Sequence, residues 1–267
     1  MNRLAGKVAI VTGTSPNIGG TLARGLAKEG AAVVCTDIDP EVGKRCAASI
    51  RAEGGRAVAH AGDVTDQAHV YEVVQQTVAD WGRIDILVNN AVQFNVKGLL
   101  AMSIDEFRRQ TDIILSGSFL FTRSVAETMI EKGEGGSIIN VLSTAAWQGQ
   151  PGNVGYCTGK SGLINFTRSV AMELAEFGIR VNGFTPTATM PTDPDLLRNL
   201  AEPAAPSQYP MDFFAEMPLK RLPSPEDYVP AVVFLASDES AMMTGANITV
   251  DGGATAKYWP WTPHGKS

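Results

Sequence analysis

The chain has 267 residues, of which 44% are apolar and 19% charged, and its formal net charge is −6. That length and balance suit one large α/β domain with a substantial core, while the acidic charge and the lack of a Lys/Arg cluster argue against nucleic acid as a partner. Three cysteines, Cys35, Cys46 and Cys157, form no C-x-x-C pair, which gives no zinc site and suits a reducing cytoplasm.

The first residues run straight into a short β-branched stretch, Val8 to Val11, with no signal-peptide pattern, and no uninterrupted apolar run approaches the length of a membrane span. A cytoplasmic protein with no membrane partner is expected. Leu22 to Glu29 reads as a helix, Ala32 to Thr36 as a second strand ending at Asp37, and Glu41 to Glu53 as a helix stopped by Gly54-Gly55. Arg56 to Ala61 is a third strand, Gln67 to Trp81 a helix and Ile84 to Asn89 a fourth strand. Ser103 and Glu106 form a capping-box signature opening a long helix to about Lys132. Ser137 to Leu142, Ile179 to Phe184 and Ala246 to Val250 complete the strands, and helices fill 153–177 and Asp227 to Ser237. His60 and His69 read as structural or exposed residues rather than metal ligands, and no metal site is expected.

Alternating strands and helices with apolar strands imply a Rossmann-like, doubly wound α/β fold: a seven-stranded parallel sheet with helices on both faces. One domain spans residues 1–267. The exception to the alternation is a proline-rich stretch, read as a substrate lid over about 187–225, and an aromatic tail, 254–267, carries Tyr258-Trp259-Pro260-Trp261. Bulky groups near a terminus are seldom left in water. They either close a pocket, pack on a neighbouring subunit or fray.

Three local patterns carry chemistry. The turn after the first strand, Thr12-Gly13-Thr14-Ser15-Pro16-Asn17-Ile18-Gly19-Gly20, has glycines that let backbone approach a pyrophosphate at a helix N-terminus. Asn17 stands where another glycine is expected, and asparagine tolerates positive φ better than other non-glycine residues. Asp37 ends strand two, where a carboxylate accepts hydrogen bonds from ribose hydroxyls and repels a 2′-phosphate. Neither Pro16 nor Ile38 offers a basic group to such a phosphate, so NAD is favoured over NADP; the competing role for Asp37 is a cap on the next helix. Asp63, ending strand three, either reaches adenine or caps. Lastly, Tyr156 and Lys160 share one helix face. An ammonium there favours a phenolate, lowering the phenol pKa and making it a useful acid/base for a carbonyl or alcohol. Ser143 lies upstream with a hydroxyl suited to the same substrate oxygen.

Taken in order, these segments resemble the short-chain dehydrogenase/reductase family over nearly the whole chain. Thr12-Gly13-x-x-x-Asn17-Ile18-Gly19 resembles its cofactor turn, Asp63-Val64 its adenine-binding pair and Asn89-Asn90-Ala91 its N-N-A-G segment. Ser143, Tyr156 and Lys160 fall at its catalytic spacing, and Arg180-Val181-Asn182 with Pro186, then Thr244-Gly245 through Gly253, match its C-terminal half. The resemblance implies an NAD-dependent oxidoreductase. Tyr156 would be the acid/base, Lys160 would bind the nicotinamide ribose, and Ser143 would polarise the carbonyl. Gly13, Ser15, Asn17, Ile18, Gly19, Asp37, Ile38, Asp63, Val64, Asn90, Ala91, Pro186, Thr187 and Thr189 would line the cofactor. A homotetramer or dimer through the two long helices is implied too.

The chain departs from the family pattern at Asn17, at Val92 in place of the last glycine of N-N-A-G, and at Thr187 after Pro186. Thr187 leaves Thr189 or Thr192 as the carboxamide partner, with Thr189 favoured. Ile114 stands where the family's fourth catalytic residue, an asparagine, belongs. Gln93, Phe94, Trp147, Gln148, Met190, Leu196, Phe213, Phe214 and Met217 are candidates for a pocket that suits a bulky apolar alcohol or ketone. An acyl-thioester reductase is a rival activity. A non-catalytic NAD(H)-binding sensor or scaffold is the reading from another class, and Ile114 and the altered glycines favour it.

Overall fold

A computed structural model describes residues 2–201, 211–215 and 217–258. Trp259 to Trp261 of the aromatic tail, and residues 202–210 of the expected lid, lie outside the described residues.

Seven parallel strands form one sheet in the order β3-β2-β1-β4-β5-β6-β7: β1 Val8–Thr12, β2 Ala32–Asp37, β3 Arg56–Ala61, β4 Ile86–Asn89, β5 Gly136–Val141, β6 Ile179–Pro186 and β7 Asn247–Val250. The order reverses at β1/β4, so the ends of these two neighbours open the crevice where ligands bind in such sheets. The expected fold is therefore the observed one.

The strands are buried on both faces, which is why they read as continuous apolar runs rather than alternations. Their two-residue period divides them between two layers. Ala9, Val11, Val33, Cys35, Ile86, Val88, Ile139 and Val141 face a core completed by α1 (Ile18–Lys28), α2 (Pro40–Ala52) and α8 (Val229–Ala236). Ile10, Val34, Leu87 and Ile138 face the opposite core, with α3 (Gln67–Trp81), α5 (Gly117–Lys132) and part of α6 (Val154–Leu174).

The long helix expected from Ser103 begins as predicted. Ser103 caps α4 (Ile104–Thr111) and Glu106 completes the capping box. It is not one regular helix, however, because a π-helical turn, Asp112–Ser116, separates α4 from α5. The continuous span Ile104–Lys132 reaches a mean hydropathy of 1.2 over 18 residues, and that apolarity is used in the core by Ile113, Phe121, Val125 and Met129. The helix predicted from Asp227 starts as a 3-10 turn, Pro225–Tyr228, before α8, and the proline-rich stretch contains a helix of its own, α7 (Pro194–Ala201).

Candidate active site

The turn after β1 is built by contact rather than by propensity alone. Gly13 adopts φ +69°, and a Cβ on Gly19 would lie 1.9 Å from the Gly13 carbonyl oxygen, so any side chain at Gly19 collides with the turn. Asn17 takes φ −130°, ψ −128°, and the positive φ expected of it is not required. The end of β4 is bolted to this turn: the Asn90 and Ala91 N–H groups donate to Thr12 Oγ1 at 3.0 and 3.1 Å, and Asn90 Nδ2 donates to the Gly13 carbonyl at 2.7 Å.

Asp37 is half-buried at the tip of β2, and its carboxylate accepts the Asp39 N–H at 3.1 Å and faces the Thr14 backbone. Burial pushes its pKa up, with these backbone N–H groups opposing. It caps no helix, because Asp39 does that for α2 by accepting the Glu41 N–H at 2.9 Å. Asp66 likewise caps α3, so Asp63 is not a cap. Asp63 instead accepts the Thr65 N–H and hydroxyl and pairs with Arg109 of α4 at 2.5 Å. Ile38 and Ser15 are exposed beside the turn, Ile18 is half-buried against the first core, and Val64 is buried against Gly117.

Ser143 follows β5, and Tyr156 and Lys160 lie on the first turns of α6. The Ser143 hydroxyl faces the Tyr156 phenol and accepts the Ala145 N–H at 3.1 Å. Lys160 is 2% exposed; its Nζ donates to the Val141 carbonyl at 2.5 Å and sits 5.9 Å from the centre of the Tyr156 ring. Burial brings the Lys160 amine down from 10.5 to about 7 and pushes the Tyr156 phenol up, with the nearby Ser143 hydroxyl opposing. The predicted lowering of the phenol by the lysine is thus not present in this arrangement, since both charged forms lose hydration.

Comparison with known proteins completes the picture. Residues 13–255 match the family model described as enoyl-(acyl carrier protein) reductase. D-threitol dehydrogenase of Mycolicibacterium smegmatis is 35% identical over 255 residues, covering 96% of this chain and 95% of that one. A solved short-chain type dehydrogenase/reductase from Mycobacterium marinum superposes with a TM-score of 0.84 at 32% identity, over 95% of this chain and 97% of that one. This chain is an oxidoreductase of the short-chain dehydrogenase/reductase family. A solved NAD+-bound xylitol dehydrogenase, at 31% identity, gives a TM-score of 0.85 over 94% and 99% of the two chains.

Members of the short-chain dehydrogenase/reductase family bind a nicotinamide cofactor, and the cradle fits one. It offers backbone too close for side chains at Gly19, a carboxylate at Asp37, and two buried side-chain oxygens without partners, Thr14 Oγ1 and Asn17 Oδ1. On the opposite side of the crevice, the Pro186 backbone ends β6 beside β7. The Thr187 hydroxyl meets that of Thr144 at 3.2 Å, and the Thr189 hydroxyl donates to the Thr187 carbonyl and contacts the Tyr228 hydroxyl at 2.8 Å. Thr192 faces away to Glu226.

At the family's asparagine position, Ile114 is 1% exposed and packs with Leu142 and Leu163. It lies in the π-turn, and a Cβ on Gly159 would sit 2.9 Å from its Cδ1. The sequence aligns the residue, but its π-turn has no signal in residue type. Of the pocket candidates, Phe94 packs tilted against Tyr156, with ring centres 4.7 Å apart and planes at 53°. Gln93, Trp147, Gln148, Met190, Phe213 and Phe214 are exposed, and Leu196 is half-buried in α7. Met217 is a correction: it is buried against Gly252 and serves as packing. Gln110 was missed. Its buried amide donates to the Gln93 and Asn95 carbonyls at 3.3 and 3.4 Å, tying the loop that carries Phe94 to α4.

Proposed function

We propose that this chain is an NAD(H)-dependent dehydrogenase/reductase that interconverts a secondary alcohol and a ketone with a hydrophobic or cyclic body. The observation that carries the reading is the Tyr156 phenol, which faces the Ser143 hydroxyl and has the Phe94 ring tilted against it at 4.7 Å. A phenol so placed protonates a ketone oxygen or accepts an alcohol proton, and the Ser143 hydroxyl holds the same oxygen. When bound, the nicotinamide supplies the hydride acceptor or donor. Gly13, Ser15, Asn17, Ile18 and Gly19 would hold its pyrophosphate side, Asp37 and Ile38 the adenosine ribose, and Asp63 and Val64 the adenine. Asn90, Ala91, Pro186, Thr187 and Thr189 would hold the nicotinamide side.

Preference for NAD rests on Asp37: a half-buried carboxylate next to an exposed isoleucine disfavours a phosphate dianion. Preference for an apolar substrate over a polyol rests on the exposed Phe94, Trp147, Met190, Phe213 and Phe214, which offer rings and thioethers rather than hydrogen-bond partners. A cytoplasmic homotetramer or dimer, with the outer faces of α5 and α6 buried between subunits, belongs to the same reading.

The test is oxidation of NADH and of NADPH against cyclic and aromatic ketones, and reduction of NAD by xylitol and D-threitol, with Tyr156→Phe in parallel. Turnover with NADH and a cyclic ketone, reduced by about 10²–10⁴ in Tyr156→Phe, is expected. Equal rates in the variant would move the chain to the sensor or scaffold reading, and turnover of polyols alone would reverse the substrate class.

A further inference from the structure

Two thiols meet directly beneath the nucleotide turn. Cys35 on β2 and Cys46 on α2 are both buried, and their sulfurs are 3.5 Å apart. Both thiols are free. Their spacing in sequence gives no hint of this, because a strand and the following helix bring them together across the layer. Cys46 Sγ also lies 4.0 Å from the Gly20 carbonyl in the first turn of α1, and the buried Thr14 hydroxyl, which has no hydrogen-bond partner, helps to lower its thiol. Two residues past Cys35, the Asp37 carboxylate accepts the Asp39 N–H at 3.1 Å and faces the Thr14 backbone. Helix α2 crosses this strand closely: a Cβ on Gly43 would sit 3.6 Å from the Cys35 carbonyl oxygen and 3.9 Å from Asp37 Cβ. The thiol pair therefore lies between α2 and the strand that carries Asp37, next to the first turn of α1.

We propose that Cys35 and Cys46 form a reversible dithiol–disulfide site, oxidised by hydrogen peroxide, whose closure deforms the nucleotide cradle and weakens dinucleotide binding. A disulfide requires sulfurs about 2.05 Å apart, so α2 must move toward β2 and draw on Thr14 and Asp37. The two thiols are not equivalent. The Cys35 S–H donates to Cys46, and that hydrogen bond, aided by Arg24, lowers the Cys46 thiol while Cys35 is pushed up. Cys46 is therefore the attacking thiolate. It attacks one peroxide oxygen, the O–O bond breaks, and hydroxide leaves with a proton as water, leaving a sulfenic acid. The Cys35 sulfur then displaces the hydroxyl from that sulfenic sulfur, and its own proton leaves with the hydroxyl as a second water. Two thiols lose two electrons and one peroxide is reduced to two waters. A reduced dithiol reverses the reaction by exchange.

The test treats the purified full chain with hydrogen peroxide, alkylates remaining thiols and maps the peptides without reduction, while NADH and NADPH affinities are titrated before and after. We expect a Cys35–Cys46 cross-link with Cys157 still alkylated, an affinity loss of about tenfold or more, and recovery with dithiothreitol. Cys46→Ser and Cys35→Ala should bind dinucleotide like the reduced protein and lose the peroxide response, whereas Cys157→Ala should keep it; circular dichroism checks folding, and Cys35→Ser replaces either variant that fails. Three results would overturn the proposal. They are sulfinic acid at Cys46 without a cross-link, a cross-link with unchanged affinity, or an unchanged peroxide response in the folded cysteine variants.

Discussion

At the scale of single residues, Asp37 and Lys160 carry the sharpest consequences. Asp37→Ala removes the charge that opposes a 2′-phosphate, so the ratio of NADH to NADPH affinity should narrow by about tenfold, or roughly 1.4 kcal/mol. An unchanged ratio in parallel titrations would place discrimination elsewhere. Lys160 gives a pH signature. Its amine falls from 10.5 to about 7 through burial, so between those values the unfolded chain binds more protons than the folded one. Stability from this group therefore rises as pH increases from about 7 toward 10.5 and is absent below that window. Melting temperature measured across the window should climb in the wild type, and Lys160→Met should flatten the climb. An identical slope in the variant would mean that another group titrates. The Asp37 effect was legible in the sequence, because it depends on one carboxylate at a strand end. The Tyr156–Lys160 spacing was too, but not the burial that strips hydration from both groups.

Elements show a second limit. Capping box, strand runs and helix starts were readable because each depends on neighbours within a few residues, as at Ser103 and Glu106. The π-turn at Asp112–Ser116 depends on what α4 and α5 meet in space, and no residue type announces it. Its tightest contact is testable. A methyl group at Gly159 would press on Ile114, with 2.9 Å to Cδ1 and 3.1 Å to Cβ. Gly159→Ala should destabilise by about 1–3 kcal/mol through overpacking. Adding Ile114→Ala to the same chain should cost less than the sum of the two single changes, since the cavity receives the new methyl. Urea melts of all four proteins measure the coupling, and strict additivity would show that α6 shifts as a body instead. The same packing explains why an asparagine at Ile114 has no ready place here. An amide would replace contacts with Leu142 and Leu163, two side chains that accept no hydrogen bond.

The whole molecule presents apolar groups on the outer sides of its long helices, with Phe119 47% and Met172 64% exposed. Side chains of that size on α5 and α6 fit a subunit contact. If the proposed oligomer forms through these faces, Phe119→Glu with Met172→Glu should give smaller species by sedimentation at fixed concentration, and a wild type that sediments as a monomer would remove the tetramer from the proposal. The doubly wound parallel class was legible because apolar strands alternating with helices leave few arrangements, while the strand order came only with the structure. The lid and tail were legible only as composition, since prolines and aromatics fix no partner.

That order also has a history in synthesis. The nucleotide turn, Asp37, Asp63 and the Asn90 bolt all lie within the first 91 residues, and their strands β1 to β4 pair with one another. A ribosome that has released this much has made a near-complete cradle, but β4 still shows an open edge of Ile86, Leu87 and Val88 until β5 arrives. An open apolar edge recruits other chains. Messages truncated between β4 and β5 should therefore yield insoluble fragments, and the natural chain crosses the same hazard each time it is made.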